Sequence, residues 1–256
     1  MRSLVVSLPS QGLLGYPADF EIREWSVNEI RSFFTSKRQL AKMLDFVRGC
    51  ILSPSGPEFK FQKIALSDVS VLVIEVRKLS IDNHYEYKTP CRVCRTAIPM
   101  AVDLDDLVAI PIRKDTVPTF NITLPDTGKV LTMRHLLVED QMDIEKQNTL
   151  RKQKLGVDYD DGFVYSRAKQ ICEINNERVS VPQAEGLVQK LSAHDMAAFE
   201  QGLADASFGY DLRTSYECPH CGDVKEVTIS LAEEFLFRAP KRNYSAEGNE
   251  SASQSD

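Results

Sequence analysis

The chain has 256 residues, 43% hydrophobic and 27% charged, with a formal net charge of -6. That length is enough to bury one large core or two small ones. No apolar run approaches the roughly 18 residues that cross a membrane, and "MRSLVVSLPSQG" lacks the h-region and cleavage site of a secretion signal. The acidic balance argues against a protein that lives by gripping phosphates.

Residues 8–17, "LPSQGLLGYP", read as a turn-rich arm. Ser26 and Glu29 form a capping box that starts a helix. A second helix is expected at about 37–52, where Leu40, Leu44, Val47 and Ile51 recur at helical spacing and Met43 and Cys50 widen the stripe. "SPSGP" at 53–57 breaks it. The stretch "LSDVSVLVIEVRKLS" at 66–80 is β-branched enough to be a strand, but Ser67 as N-cap and the face Val69, Leu72, Val76 and Leu79 favour a helix.

"YEY" at 85–87 reads as a short strand leading into "TPCRVCR", and "FNITLPDTGKVLTMR" as a hairpin turning at Pro125–Gly128. Helices are expected at 136–150 and, after a polar stretch, at about 164–177, 183–191 and 195–205, the last capped by Ser192 and Asp195. The final "NYSAEGNESASQSD" is too polar to offset the entropy of ordering and reads as disordered.

Chemistry concentrates in the cysteines. Cys91–Cys94 and Cys218–Cys221 are two C-x-x-C pairs about 120 residues apart. Structural zinc is tetrahedral and suits thiolates, and one such turn supplies two of the four. The residues after each pair also match. Beyond Cys94 come Ile98, Met100, Val102 and Leu104. Beyond Cys221 come Val227, Ile229 and Leu231. Both runs alternate as half-buried strands do, and both meet an acidic helix start, "DLDDL" and "SLAEEF", the latter with a Ser230–Glu233 capping box. This weak repeat predicts one zinc ribbon split by residues 95–217, with Cys91, Cys94, Cys218 and Cys221 as ligands. Metal-free thiols, a redox C-x-x-C and His220 in place of a cysteine stay open as alternatives. Cys50 and Cys172 read as buried small hydrophobes.

Nothing assembles a catalytic site. "DYDDG" at 158–162 lacks the full calcium loop and reads as solvated. His84, His135, His194 and His220 sit in unrelated contexts, with His194 near a helix cap, and Trp25 reads as core. No G-x-S-x-G, Walker, H-E-x-x-H or G-x-G-x-x-G motif occurs. A zinc with four thiolates keeps no position for water, which points to structure rather than hydrolysis.

The order of these pieces resembles the baseplate hub and hub-assembly proteins of T-even-like contractile-tailed bacteriophages. The resemblance rests on "LPSQG…YP", "RGCI", "IALSDVSVLVIEVRKLS", the Y-x-Y strand and "CRVC", "VDLDDL", "TLPDTGKVLTMRHL", "GYDL", "ECPHCG" and "ISLAEEFLFR". It implies a non-enzymatic tail protein, in the virion baseplate or in the host cytoplasm during assembly, whose partners are other hub or tape-measure proteins. Zinc comes from the cysteines and not from the resemblance. A zinc-ribbon regulator that binds nucleic acid is the alternative, favoured by Lys88, Arg92 and Arg95 around the first knuckle and opposed by the acidic charge.

The fold class expected is α+β, mainly helical, with a split two-knuckle zinc-ribbon-like β element. Its parts are an N-terminal arm and helical segment at 1–84, a first knuckle at 85–107, an inserted hairpin and helices at 108–213, a second knuckle at 214–240 and a tail at 241–256.

Overall fold

The computed structural model describes residues 1–35, 39–156 and 162–237. "DYDDG" (save Gly162), the tail at 241–256 and the expected start of the second helix lie outside the described residues, and the side chain of Leu40 is likewise outside them.

In chain order the elements are β1 (Ser3–Ser7), β2 (Asp19–Arg23), α1 (Val27–Thr35), α2 (Gln39–Cys50), β3 (Ile51–Ser53), α3 (Leu66–Ser80), β4 (His84–Pro90) and β5 (Ala97–Asp103). Next come β6 (Ala109–Ile110), β7 (Phe120–Thr123), β8 (Val130–Met133), α4 (Val138–Leu155), α5 (Gly162–Gln170), β9 (Ile171–Ile174), β10 (Glu177–Arg178), α6 (Val181–Val188) and α7 (Ala193–Asp205). The chain closes with β11 (Gly209–Tyr210), β12 (Arg213–Glu217), β13 (Val224–Thr228) and α8 (Glu233–Phe237). The fold is therefore mixed α/β, with more strand than the mainly helical expectation allowed.

The helix α3 is the stem of the first core. Val69, Val71, Leu72, Val73, Ile74 and Val76 are all buried, so it is apolar on nearly every side. That is why its sequence reads almost like a strand. Around it pack the antiparallel sheet β1-β2-β3, the inner face of α2, and Phe235 and Leu236 of α8. Ser67 does not cap α3. The N-cap is Ala65, which has no side-chain acceptor. The arm does the work instead. Tyr16 Oη accepts from the Ala65 N–H at 3.2 Å and donates to the Asp68 carboxylate at 2.6 Å, and the Ser10 N–H donates to Asp68 at 3.3 Å. Burial pushes the Asp68 carboxyl up.

A second core lies within the segment between β6 and β11. The antiparallel sheet β10-β9-β8-β7 packs with α5, α6 and α7 around Leu124, Leu131, Met133, Ala184 and Phe199. β6 and β11 pair antiparallel, Ala109 with Tyr210 and Ile110 with Gly209, so the segment leaves and returns side by side.

Several expected helical boundaries move. The helix α2 stops at Cys50, and Ile51 instead pairs with Ile22 as a strand. The expected helix at 164–177 ends at Gln170, where Ile171–Ile174 pairs with β8 as a strand, and Asn175 and Asn176 then adopt left-handed φ, 52° and 64°. A two-residue loop with positive φ at both positions is the type I′ hairpin turn, and it joins β9 to β10. After the first knuckle "DLDDL" makes a single 3-10 turn at Leu104–Asp106, opened by the Asp103 carboxylate accepting from the Asp105 N–H at 2.9 Å. The Ser26–Glu29 and Ser192–Asp195 caps both form. Trp25 is half-buried against Phe46 and Phe237.

Two arginines, Arg77 buried and Arg23 half-buried, tie distant segments together. Arg77, wholly buried, donates to the carbonyls of Phe235 at 2.6 Å and His84 at 3.2 Å and lies over the rings of Tyr85 and Phe235. Arg77→Met keeps most of the volume but leaves those carbonyls without the guanidinium, so urea titration should read a loss of about 2–3 kcal/mol. Arg23 forks onto Glu29 at 2.7 and 3.2 Å and reaches the Gly49 carbonyl at 2.6 Å. These bonds hold Glu29 down at about 2. A depressed carboxylate stabilises the fold above its unfolded pKa, and that stability fades as pH falls from about 4.5 towards 2. Glu29→Gln should therefore cost about 1–2 kcal/mol at pH 7, allowing for solvent screening. In thermal melts the gap from the parent chain should close across that acid window.

Candidate metal centre

The two C-x-x-C pairs occupy the tips of two hairpins, β4–β5 and β12–β13. Both tips are built the same way. The N–H of the first cysteine donates to the carbonyl five residues on, Cys91 to Thr96 and Cys218 to Asp223, each at 2.9 Å. The N–H of the residue four on returns to the first cysteine's carbonyl, Arg95 to Cys91 at 3.0 Å and Gly222 to Cys218 at 2.8 Å. That fourth residue is left-handed in both, with φ 62° at Arg95 and 70° at Gly222. Gly222 takes this conformation freely, whereas Arg95 does so against a steric cost of about 1 kcal/mol.

Each hairpin also has an inward apolar face, although Val93 and Val224 near the tips are exposed. Along β5, Ile98 is buried and Met100 and Val102 are half-buried, while Ala97, Pro99 and Ala101 face solvent. Ile98, Tyr216, Met100 and Val227 pack beneath the sulfurs as a small third core. Further from the tips, Leu104 and Ile229 join the first core. The alternation read from the sequence thus marks the inner faces. The second helix start sits later than expected: α8 begins at Glu233, so Ser230 precedes it by three residues and does not open it.

This geometry brings all four expected ligands together. The Sγ atoms of Cys91, Cys94, Cys218 and Cys221 lie within 4.8 Å of one another. Two contacts run between the hairpins, Cys91 to Cys221 at 3.7 Å and Cys94 to Cys218 at 3.6 Å. A bonded sulfur pair would be near 2.05 Å, and all four are free thiols. In a tetrahedron with Zn–S of about 2.3 Å the sulfurs stand about 3.8 Å apart, so the spacing matches a thiolate cage. Cys91 and Cys218 are buried, Cys94 is half-buried and Cys221 is exposed.

The electrostatics favour a cation. The Thr96 hydroxyl and N–H bring the Cys94 thiol down to about 6, and the Cys94 N–H lowers Cys91. Cys221 behaves oppositely. The Asp223 N–H favours its thiolate, yet desolvation of the sulfur by the neighbouring knuckle and the three neighbouring thiols together push it up to about 12. The set gives up its first proton readily and its last with difficulty, as like charges in one place must. A divalent ion removes that conflict.

The remaining candidates fall elsewhere. His220 is exposed on the second tip and outside the sulfur group. Cys50 is fully buried in the first core, and burial pushes its thiol up to about 12. Cys172 is only half-buried and lies on β9, so the reading of it as a buried core residue is corrected. His194 bonds the Asp126 carboxylate at 2.8 Å beside the α7 cap. His84 begins β4 near Glu86, and His135 packs between Phe120 and Phe208. The sequence reading missed the left-handed residue that ends each knuckle. Gly222 carried that signal, but Arg95 hid it at the equivalent position.

Among the described residues, no helix is long and apolar enough to cross a membrane. No curated protein and no solved structure matches the chain. A family model described as T4 bacteriophage base plate protein matches residues 1–237, which takes in both hairpins, both larger cores and all four cysteines. The chain therefore belongs to the T4 bacteriophage base plate protein family, a family of structural proteins of the phage tail.

Proposed function

We propose that this protein is a non-enzymatic component or assembly factor of the baseplate hub, closed by a structural zinc ion on Cys91, Cys94, Cys218 and Cys221. The family match over residues 1–237 supports the baseplate, and the ordered motifs of the sequence resemblance extend the reading to the hub. The partners proposed are other hub or tape-measure proteins, and the place is the tail baseplate or the host cytoplasm during assembly. The four sulfurs within 4.8 Å support the metal. Zinc bound there would supply on the order of 10 kcal/mol to folding.

The parts proposed keep the boundaries expected from the sequence. An N-terminal unit at 1–84 and the two knuckle segments at 85–107 and 214–240 form one body. Residues 108–213 are inserted between the knuckles and carry their own core.

Mass spectrometry of purified virions tests the role. A few copies per particle mean a structural part, and loss of baseplates from a deletion phage without the chain in the virion means an assembly factor. Normal tails and infectivity from the deletion phage would refute both. Metal analysis of the purified protein should give about one zinc per chain. Replacing Cys91 and Cys218 together by Ser should abolish it. A metal-free but normally folded parent chain would remove the zinc.

A further inference from the structure

The sulfur contacts are arranged across the hairpins, and that has a chemical consequence. Cys91 lies 3.7 Å from Cys221, and Cys94 lies 3.6 Å from Cys218. Each pair takes one cysteine from each hairpin, and each joins a first knuckle position to a second one. We infer that the centre has an oxidised form in which two disulfides, Cys91–Cys221 and Cys94–Cys218, take the place of the metal. The inference rests on reading the four cysteines as one thiolate centre.

Accessibility sets the order of events. Cys221 is the exposed member, whereas Cys91 and Cys218 are buried. A peroxide therefore reaches Cys221 first. As the thiolate it would be when holding the metal, its sulfur attacks one peroxide oxygen, the O–O bond breaks, and a sulfenic acid and water form after proton uptake. The Cys91 thiolate, 3.7 Å away on the other hairpin, attacks that sulfenic sulfur and expels the oxygen as a second water. Cys94, half-buried, is oxidised next and is resolved by Cys218 in the same way. Over the two cycles four thiolates, two molecules of hydrogen peroxide and four protons give two disulfides and four waters, and the metal ion leaves. Each sulfur pair must close to about 2.05 Å, a movement of side chains rather than of hairpins.

The outcome differs from that of a redox C-x-x-C. Disulfides within the knuckles, Cys91–Cys94 and Cys218–Cys221, would let the hairpins part once the metal left. Disulfides between them keep the closure. A chain made in a reducing cytoplasm and carried outside in a tail would stay closed in both settings.

The test uses the full zinc-treated chain and hydrogen peroxide at neutral pH. Released zinc is followed with a chromophoric chelator, remaining thiols are alkylated, and the disulfides are mapped by peptide mass spectrometry. The expected result is loss of four free thiols, with Cys50 and Cys172 still alkylated, and peptides joined as Cys91–Cys221 and Cys94–Cys218. Cys221→Ser should leave Cys94–Cys218 as the disulfide formed. Disulfides within the knuckles, links between chains, or sulfinic acids without disulfides would overturn the inference. A chain that carries no zinc but still gives the crossed pairs would overturn the zinc reading and uphold this one. A zinc-bearing chain that gives pairs within the knuckles would do the reverse.

Discussion

A single buried guanidinium sets the frame in which everything else is placed. Arg77 is the largest fully buried side chain, and it projects from the central helix α3 to the carbonyls of His84 and Phe235. His84 opens the first hairpin, and Phe235 lies just beyond the second. One side chain therefore fixes the bases of both hairpins against one helix. Burial lowers its pKa and would leave a bare cation costly. The two carbonyls and the ring faces of Tyr85 and Phe235 offset that cost. With the bases fixed, the tips are directed to one place, and the four sulfurs meet there.

The segment between the hairpins is held by different means. Its two ends are zipped by β6 and β11, and Tyr210 on β11 donates to the buried Glu75 of α3 at 2.7 Å. Inside, α7 lies so close on β7 that a Cβ at Gly202 would stand 2.7 Å from the Ile122 side chain. Only glycine fits that approach without displacement. Its apolar residues form a core of their own, so its packing does not draw on the sulfur centre. Besides the pair of strands and the polar ties through α3, it meets the rest of the chain through Val138 of α4, buried in the first core, through Ile112 and Phe208 packed against Ala65, and through the Leu66–Leu136 and Val138–Ile64 backbone bonds.

How much of this was legible depends on where each signal resides. The four cysteines announced themselves by type and spacing, and the alternation of Ile98, Met100 and Val102 marked the inner face of β5 because that face is buried and the other is not. The capping pairs at Ser26 and Ser192 act within four residues, so sequence alone held them. The α3 N-terminus failed for the opposite reason. Its donor is satisfied by Tyr16, 49 residues away, and no local pattern reports that. The Asn175–Asn176 turn was readable in principle, since asparagine tolerates left-handed φ, but the apolar spacing around it also fits a helix. Arg77 gave no warning at all. An arginine near the end of a helix ordinarily faces water, and only the tertiary position of two carbonyls reverses that.

The energetics explain why a clasp belongs at the tips. Each hairpin is a sheet of only two strands, and an isolated pair of strands is marginal in water. The core beneath the sulfurs is small, built on Ile98, Tyr216 and the two buried cysteines, with Met100 and Val227 at its margin. Burying so few side chains yields several kcal/mol at most, and ordering two hairpins costs a comparable amount. The bases are secured by Arg77 and the first core, but the tips stand away from both. A bond network between the sulfurs, by metal or by disulfide, is the one interaction of sufficient size available there. It acts on chain segments more than 100 residues apart, where closure without it is entropically most expensive. On the proposed reading, the paired cysteines close a long excursion of the chain.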